Sequence, residues 1–177
     1  LTIVPEKELV ADVQSLFSDL ERVKLSNKVK SGGWSKEQIV ELATQEFEEK
    51  KSCLIIVNTK GWAKKLFLSL QLNVDSDSLF QLSTNLCPAH RKKILSDVRE
   101  RLDNNLPVLC ISTQLIEAGV DVDFASVIRF LAGLDSIAQA AGRCNRNGYL
   151  KSATIHVLNP DNENIDMLQD IKIGLDI

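Results

Sequence analysis

The segment SCLIIVNTKGWAKKLFLSL, residues 52–70, joins the two patterns that decide the fold. Its first part, Ser52 to Val57, is a continuous apolar run of the kind expected for a strand buried on both faces of a parallel sheet. Thr59 can then cap a helix, because its hydroxyl can accept a hydrogen bond from a backbone N–H of the first turn. Apolar residues follow at the helical period, at Ala63, Leu66, Phe67 and Leu70. A buried strand that leads into an amphipathic helix is the building unit of an α/β fold.

The rest of the chain repeats this unit. Further strands are predicted over residues 22–29, 78–82, 108–112, 127–131 and 154–158. Helices are predicted over residues 9–20 and from Ser35, Pro88 and about Asp135 onward. Strands separated by helices of this length predict a doubly wound α/β fold, a mainly parallel sheet with helices on both faces.

Short local patterns predict where two of the helices begin. Ser35 and Gln38 have the spacing of a capping box, and Ser31-Gly32-Gly33 is a break just before it. Pro88 suits a first helical turn because its missing N–H would have no helical partner there.

Composition and charge narrow the class of protein. Of 177 residues, 44% are hydrophobic and 25% are charged, which is the balance of an ordinary soluble domain. The formal net charge is −3, whereas a domain that binds nucleic acid is usually basic. A local set of donors beside the phosphates, completed by a partner domain, would still permit that role. None of the four cysteines has C-x-x-C spacing, so we expect no metal site, and Cys53 and Cys110 are expected in the core.

The hydropathy and the ends of the chain predict its localisation and its domain bounds. No stretch approaches the roughly 20 apolar residues of a membrane span, and there is no secretory signal pattern, so we expect a cytoplasmic protein without membrane contact. The first residue is Leu1 rather than Met, which suggests a fragment. We expect one domain over 1–177 with its core over about 20–160, and connections to other domains at 1–19 and 161–177.

The most informative segment is DSIAQAAGRCNRNG, residues 135–148. If it is helical throughout, a rotation of about 100° per residue places Gln139, Arg143 and Arg146 on one face. Forked guanidinium groups suit phosphate oxygens, and Gly142 within the helix would allow a ligand or backbone to approach closely. The functional interpretation is a pair of arginine fingers beside a nucleotide γ-phosphate. The alternative is two surface arginines on a solvated helix.

The loop after the 108–112 strand, STQLIEAGVDVD at residues 112–123, is a second candidate site. Ligands of open α/β sheets bind at the carboxyl ends of strands, where Ser112 and Thr113 lie. Their hydroxyl and N–H groups could hold a backbone phosphate. Gly119 permits a tight turn, and Asp121 can accept hydrogen bonds from a ribose hydroxyl. The alternative is an ordinary acidic loop.

Two further strand ends carry weaker patterns. Thr59 opens a helix, and a helix N-terminus with a hydroxyl is a natural phosphate site, although a plain N-cap is the alternative. Ser83 and Thr84 could likewise contact a phosphate, and His90 and Arg91 add donors near the next helix start. The alternative for His90 is an ordinary surface or packing residue, and His156, inside a strand, is expected to be structural.

These segments together resemble the motifs of one helicase family. Residues 139–146 resemble motif VI of superfamily 2 helicases, and QAAGRCNRNG is similar to the version in the CRISPR-associated helicase of type I systems. STQLIEAGVDVD resembles motif V and LIIVNTK resembles motif IV of that family. LSTNLCPAHR, residues 82–91, is similar to the family's stretch between motifs IV and V.

The resemblance implies a second RecA-like domain of an ATP-driven DNA helicase. By resemblance, Thr113 and Gln114 face single-stranded DNA, Gly119 and Asp121 face the nucleotide, and Glu117 links the two sites. A first RecA-like domain, an HD nuclease and a guide-RNA surveillance complex are the implied partners.

The sequence lacks the G-x-x-x-x-G-K-[ST] phosphate loop and the Asp-Glu motor pattern. The resemblance implies that ATP and Mg²⁺ are bound mainly by the first RecA-like domain, and this chain alone is predicted not to hydrolyse ATP. Two alternatives stay open at this point: a generic superfamily 2 helicase acting on RNA or DNA, and a non-catalytic docking module with a helicase-like fold.

Overall fold

A computed structural model describes residues 22–84, 86–117 and 120–163. Six strands form one sheet in the order β1-β6-β5-β2-β4-β3, and every neighbouring pair is parallel. The strands are β1 (Val23–Asn27), β2 (Ser52–Ile56), β3 (Leu79–Leu82), β4 (Val108–Ser112), β5 (Ser126–Phe130) and β6 (Ala153–Leu158). Each coincides, within a few residues, with a strand predicted from the sequence, and the parallel doubly wound sheet is confirmed.

Four helices connect these strands. They are α1 (Lys36–Lys50), α2 (Lys60–Leu70), α3 (Pro88–Asp103) and α4 (Leu134–Ala141), and a short 3₁₀ helix covers Gln114–Ile116. The Ser35–Gln38 capping box is present at α1, and Thr59 Oγ1 accepts a hydrogen bond from Trp62 N at the start of α2. Pro88 begins α3 as expected. The helix predicted over residues 9–20 lies outside the described residues.

The predicted continuation of the last helix to Arg146 is wrong. α4 ends at Ala141, and Gly142 is its C-cap rather than an interior residue. The backbone leaves the helix because residues near Cys144 pair with Phe124: Arg143 O accepts from Phe124 N at 2.9 Å, and Asn145 N donates to Phe124 O at 2.9 Å. Asn145 then adopts a left-handed conformation with φ of 47°. We call residues 142–148 the arginine turn.

The two faces of the sheet are covered by separate hydrophobic cores. α1 and α2 pack on Cys53, Ile55 and their neighbours, whereas α3 and α4 cover the opposite face with Leu54 and Ile56. The side chains of β2 therefore alternate between two buried faces, which explains why the segment is apolar throughout. Cys110 is fully buried as expected, and burial raises the pKa of its thiol to about 12.

One polar cluster lies within the core under α1. His156 Nε2 is 3.0 Å from Glu46 Oε1, and Ser126 Oγ donates to Glu46 Oε2 at 2.6 Å. Burial lowers the pKa of His156, although the neighbouring carboxylate acts in the opposite direction. This contact between α1, β5 and β6 accords with the structural role expected for His156.

The break before α1 brings the chain against the segment after β6. Trp34 N donates to Asn159 O and Asp161 N donates to Trp34 O, both at 2.8 Å. Gly33 has φ of +73°, and a Cβ there would lie 2.7 Å from Asp161 N.

Within the described ranges, no helix is long and apolar enough to cross a membrane.

We predict that Gly33→Ala destabilises the chain more than Gly32→Ala. Both positions have positive φ, so each alanine should cost about 1–2 kcal/mol of backbone strain. Only the new Cβ at Gly33 meets backbone, because nothing lies within 4 Å of the corresponding atom at Gly32. Urea unfolding of the two variants measures this difference. Equal losses of stability would mean that the Pro160–Asp161 backbone shifts at no cost to make room for the new Cβ.

We also predict that His156 makes stability depend on pH. The unfolded chain binds its proton near the ordinary pKa of 6.5, whereas the folded pKa is lower. The stabilisation is therefore complete above that pH and is lost as the pH falls below it. Comparing urea unfolding at about pH 7.5 and about pH 5.5, the wild type should lose more stability than His156→Gln, which cannot titrate. Equal losses would contradict the assignment.

Candidate nucleotide and nucleic-acid sites

The parallel sheet brings three of the sequence-predicted polar groups to one edge. β2, β4 and β3 are neighbours, so the residues that follow them meet where these strands end, which we call the carboxyl edge. Thr59 follows β2, Ser83 and Thr84 follow β3, and Thr113 and Gln114 follow β4. Hydrogen bonds from Val57 N to Ser112 O and from Thr113 N to Leu82 O connect the three strand ends.

The side chains at this edge retain hydrogen-bonding capacity. Thr59 accepts from Trp62 N, as the plain N-cap interpretation required, but its hydroxyl hydrogen can still be donated. Gln114 Nε2 lies 3.4 Å from Asn58 O and ties the segment after β4 to the segment after β2. Thr84 is exposed, whereas Ser83 and Thr113 are largely buried.

His90 and Arg91 lie in the first turn of α3, which starts close to the end of β3. His90 is exposed and Arg91 is half-buried. The buried Nε of Arg91 has no hydrogen-bond partner among the described residues. Neither side chain is part of the hydrophobic core.

The arginine turn brings Arg143 and Arg146 together by a route that differs from the predicted helix. Arg143 donates from Nη2 to Glu117 O at 2.6 Å and from Nε to Ile116 O at 3.1 Å. Arg146 Nε lies 3.0 Å from Asp121 Oδ1 in an exposed ion pair. Gln139 stays on α4 and is exposed, so the three side chains do not share a helix face.

Asp123 fixes the backbone of this turn and was missed by the sequence analysis. Its Oδ1 accepts from Arg146 N at 2.7 Å, and its Oδ2 accepts from Asn147 N at 2.9 Å. Gly142 permits a tight turn at the end of α4, because a Cβ at this position would lie only 3.3 Å from the carbonyl oxygen of Gln139. Gly119 lies outside the described residues.

Arg143 is surrounded by groups of both charges. Partial burial lowers the pKa of Arg143 most, and the positive charge of Arg146 lowers it further, while Asp121 and Glu117 oppose both effects. Two neighbouring guanidinium groups repel each other, and a phosphate between them would relieve that repulsion. A cleft of about 1130 Å³ is lined by Asp121, Asp123 and Tyr149 among others, but neither Arg143 nor Arg146 lines it. Among the described residues, no group of three or more His, Cys, Asp or Glu could hold a metal ion.

A buried ionic network lies between the carboxyl edge and the arginine turn, and the sequence analysis missed it. Arg129, in β5, is fully buried and its Nε lies 2.8 Å from Glu117 Oε1. Its Nη1 donates to Asn58 Oδ1 at 2.6 Å and to Phe130 O at 2.9 Å. Asn58 Nδ2 in turn donates to Glu163 Oε2 at 2.9 Å. A charged residue within the apolar SVIRF strand was the one sequence pattern that pointed to this network.

Solved structures define the class of fold. The crystal structure of T. fusca Cas3 with ADP superposes with a TM-score of 0.63 and 22% identity, covering 81% of this chain and 19% of that chain. Mycobacterium smegmatis helicase Lhr bound to ssDNA and AMP-PNP superposes with a TM-score of 0.58 and 17% identity, over 87% of this chain and 22% of that one. The chain therefore has the fold of a RecA-like helicase domain.

The sequence assigns the chain more closely. Residues 49–149 match the family described as "CRISPR-associated nuclease/helicase Cas3, C-terminal". The chain belongs to this family.

Curated relatives agree with that assignment. Cas3 of Haloferax volcanii is 49% identical over 57 residues, which are 32% of this chain and 6% of that protein. Cas3 of Methanothermobacter thermautotrophicus is 33% identical over 97 residues, which are 55% of this chain and 11% of that protein. The matched segments are thus a small part of these relatives' length.

We predict that Asp123→Asn destabilises the chain by about 1–2 kcal/mol, because a charged acceptor of two backbone N–H groups is weakened. Asp121→Asn removes the same charge from the exposed ion pair with Arg146 and should cost less than about 0.5 kcal/mol. Chemical unfolding of both variants is the measurement. Comparable losses would mean that Asp123 does not hold the arginine turn.

Proposed function

We propose that this chain is the C-terminal motor domain of an ATP-dependent DNA helicase or translocase acting in type I CRISPR interference. One observation carries the proposal: the loop after β4 takes part in both polar groups. Thr113 and Gln114 belong to the carboxyl edge, while Glu117 O and Asp121 contact the side chains of Arg143 and Arg146. One short segment therefore connects a candidate phosphate-backbone site with a candidate nucleotide site.

The carboxyl edge would bind single-stranded DNA. Hydroxyl groups of Thr59, Ser83, Thr84 and Thr113 and the Gln114 amide would contact backbone phosphates, with His90 and Arg91 beside them. Such contacts carry little sequence information, which suits a motor that must move along any strand. Support comes from the shared edge of β2, β4 and β3, and from the DNA-bound state of the similarly folded Lhr.

The arginine turn would complete a nucleotide site. In this proposal ATP binds between the first RecA-like domain and this one, and Mg²⁺ is held mainly by the first. Arg143 and Arg146 act as arginine fingers towards the γ-phosphate, and Asp121 accepts from a ribose hydroxyl. Gln139, Gly119 and Gly142 complete the nucleotide-facing set. The ADP bound to T. fusca Cas3 and the AMP-PNP bound to Lhr support nucleotide use within this fold.

The described contacts suggest how nucleotide would change the site. Arg143 donates to two backbone carbonyls and Arg146 is paired with Asp121, so both guanidinium groups have partners that a phosphate would replace or share. Closing the cleft on ATP would move the arginine turn together with Glu117, and hydrolysis would release it. Movement along DNA requires that the ATP-bound state and the state after hydrolysis bind the strand through different contacts.

We predict that Arg143→Ala and Arg146→Ala in the full-length protein each lower DNA-stimulated ATP hydrolysis by at least about 100-fold, because an arginine finger is worth about 10³–10⁵ in rate. The measurement is the ATPase rate with and without single-stranded DNA. Lys64→Ala, which removes a positive charge from the exposed face of α2, is the matched control and should hydrolyse ATP normally. Normal hydrolysis by both variants would mean that Arg143 and Arg146 are surface charges and not arginine fingers.

The same assay decides between the alternative functions. Stimulation by RNA rather than DNA would favour a generic superfamily 2 helicase acting on RNA. A full-length protein without nucleic-acid-dependent ATPase would favour a docking module. The HD nuclease and the guide-RNA complex remain proposed partners, and co-purification with the full-length protein would test them.

A further inference from the structure

Arg129 is a fully buried arginine on a strand whose only other polar side chain is that of Ser126. Burying a guanidinium and a carboxylate removes two charges from water, so such a pair is often no more stabilising than well-packed apolar residues of similar volume. Its presence therefore calls for a role other than filling the core. Burial lowers the pKa of Arg129 and raises that of Glu117, and each charge opposes this effect on the other.

The contacts of Arg129 reach three strand ends at once. Nη1 donates to Asn58 Oδ1 after β2, and Nε lies against Glu117 after β4. Nη1 also donates to Phe130 O at the end of β5. Nη2 has no hydrogen-bond partner among the described residues. The guanidinium thus sits between the segments that lead into both candidate sites.

The segments after β2 and β4 each lie next to residues of the proposed machinery. Asn58 precedes Thr59, and its carbonyl accepts from the Gln114 amide at 3.4 Å. Glu117 O accepts from Arg143 Nη2 at 2.6 Å. A continuous chain of contacts therefore runs from the carboxyl edge through Asn58, Arg129 and Glu117 to the arginine turn.

We propose that Arg129 is a positioning residue that holds Glu117 and Asn58 in one rigid unit, so that DNA bound at the carboxyl edge and nucleotide bound at the arginine turn affect each other. Arg129 touches neither ligand. This inference deepens the proposed function and rests on it. Without Arg129, the Glu117 carboxylate would lack its buried counter-charge, and the contact of Gln114 Nε2 with Asn58 O at 3.4 Å would remain to join the loop after β4 to the end of β2.

The test is DNA-stimulated ATPase of the full-length protein, titrated with single-stranded DNA. Arg129→Met should raise the DNA concentration for half-maximal stimulation by about 10-fold, a typical size for coupling between two sites. The DNA-free KM for ATP should stay within about 2-fold, since Arg129 lies outside the nucleotide site. Arg129→Lys keeps the charge and should restore part of the loss.

His156→Gln is the matched control for a structural role. His156 also makes a buried contact with a carboxylate, but on the opposite face of the sheet, under α1. It should lower the melting temperature and leave the half-saturating DNA concentration unchanged. If Arg129→Met behaves like His156→Gln, Arg129 is only structural and the inference is wrong.

Three further outcomes are distinguishable. Should Arg129→Met fail to fold, Glu117→Gln, which keeps the shape and removes the charge, decides alone: an unchanged half-saturating DNA concentration overturns the inference. A wild type whose ATPase ignores DNA overturns the proposed function and this inference with it. A stimulated wild type with unaffected Arg129 and Glu117 variants overturns the inference alone.

Discussion

The parallel pairing of β2 with β4 on one side and β5 on the other is the constraint on which the rest of the structure depends. Backbone groups in these strands are buried on both faces and must pair with each other, which holds the strands side by side. A parallel register places all three strand ends on one edge. Polar residues that are far apart in sequence, such as Thr59 and Thr113, are thereby brought together without any direct bond between their side chains.

The sequence predicted the architecture well because apolar runs and helix caps are local signals. The SCLIIV and VLCIS runs, the Ser35 capping box and Pro88 each specify an element through residues only a few positions apart. The positions of Thr59, Ser83 and Thr113 at strand ends followed from these elements. That the three strands are neighbours did not, because the order β2-β4-β3 depends on pairing between distant segments.

The arginine turn was less predictable because its conformation depends on a distant partner. Helical periodicity continues formally through Arg146, but pairing of Arg143 and Asn145 with Phe124 ends the helix at Ala141. Arg129 was missed for a related reason. One charge in an apolar strand does not reveal its partners, and Glu117, Asn58 and Glu163 come from segments that only the fold brings together.

The division of the core into two hydrophobic clusters has a consequence for how this domain tolerates change. A layer of hydrogen-bonded backbone separates the residues under α1 and α2 from those under α3 and α4. Substitutions on opposite sides share few partners, so their energetic costs should be nearly additive. The face under α3 and α4 also carries Arg129, whereas none of the proposed ligand-binding residues lies on α1. Divergence among relatives should therefore accumulate unevenly across the two sides of one sheet.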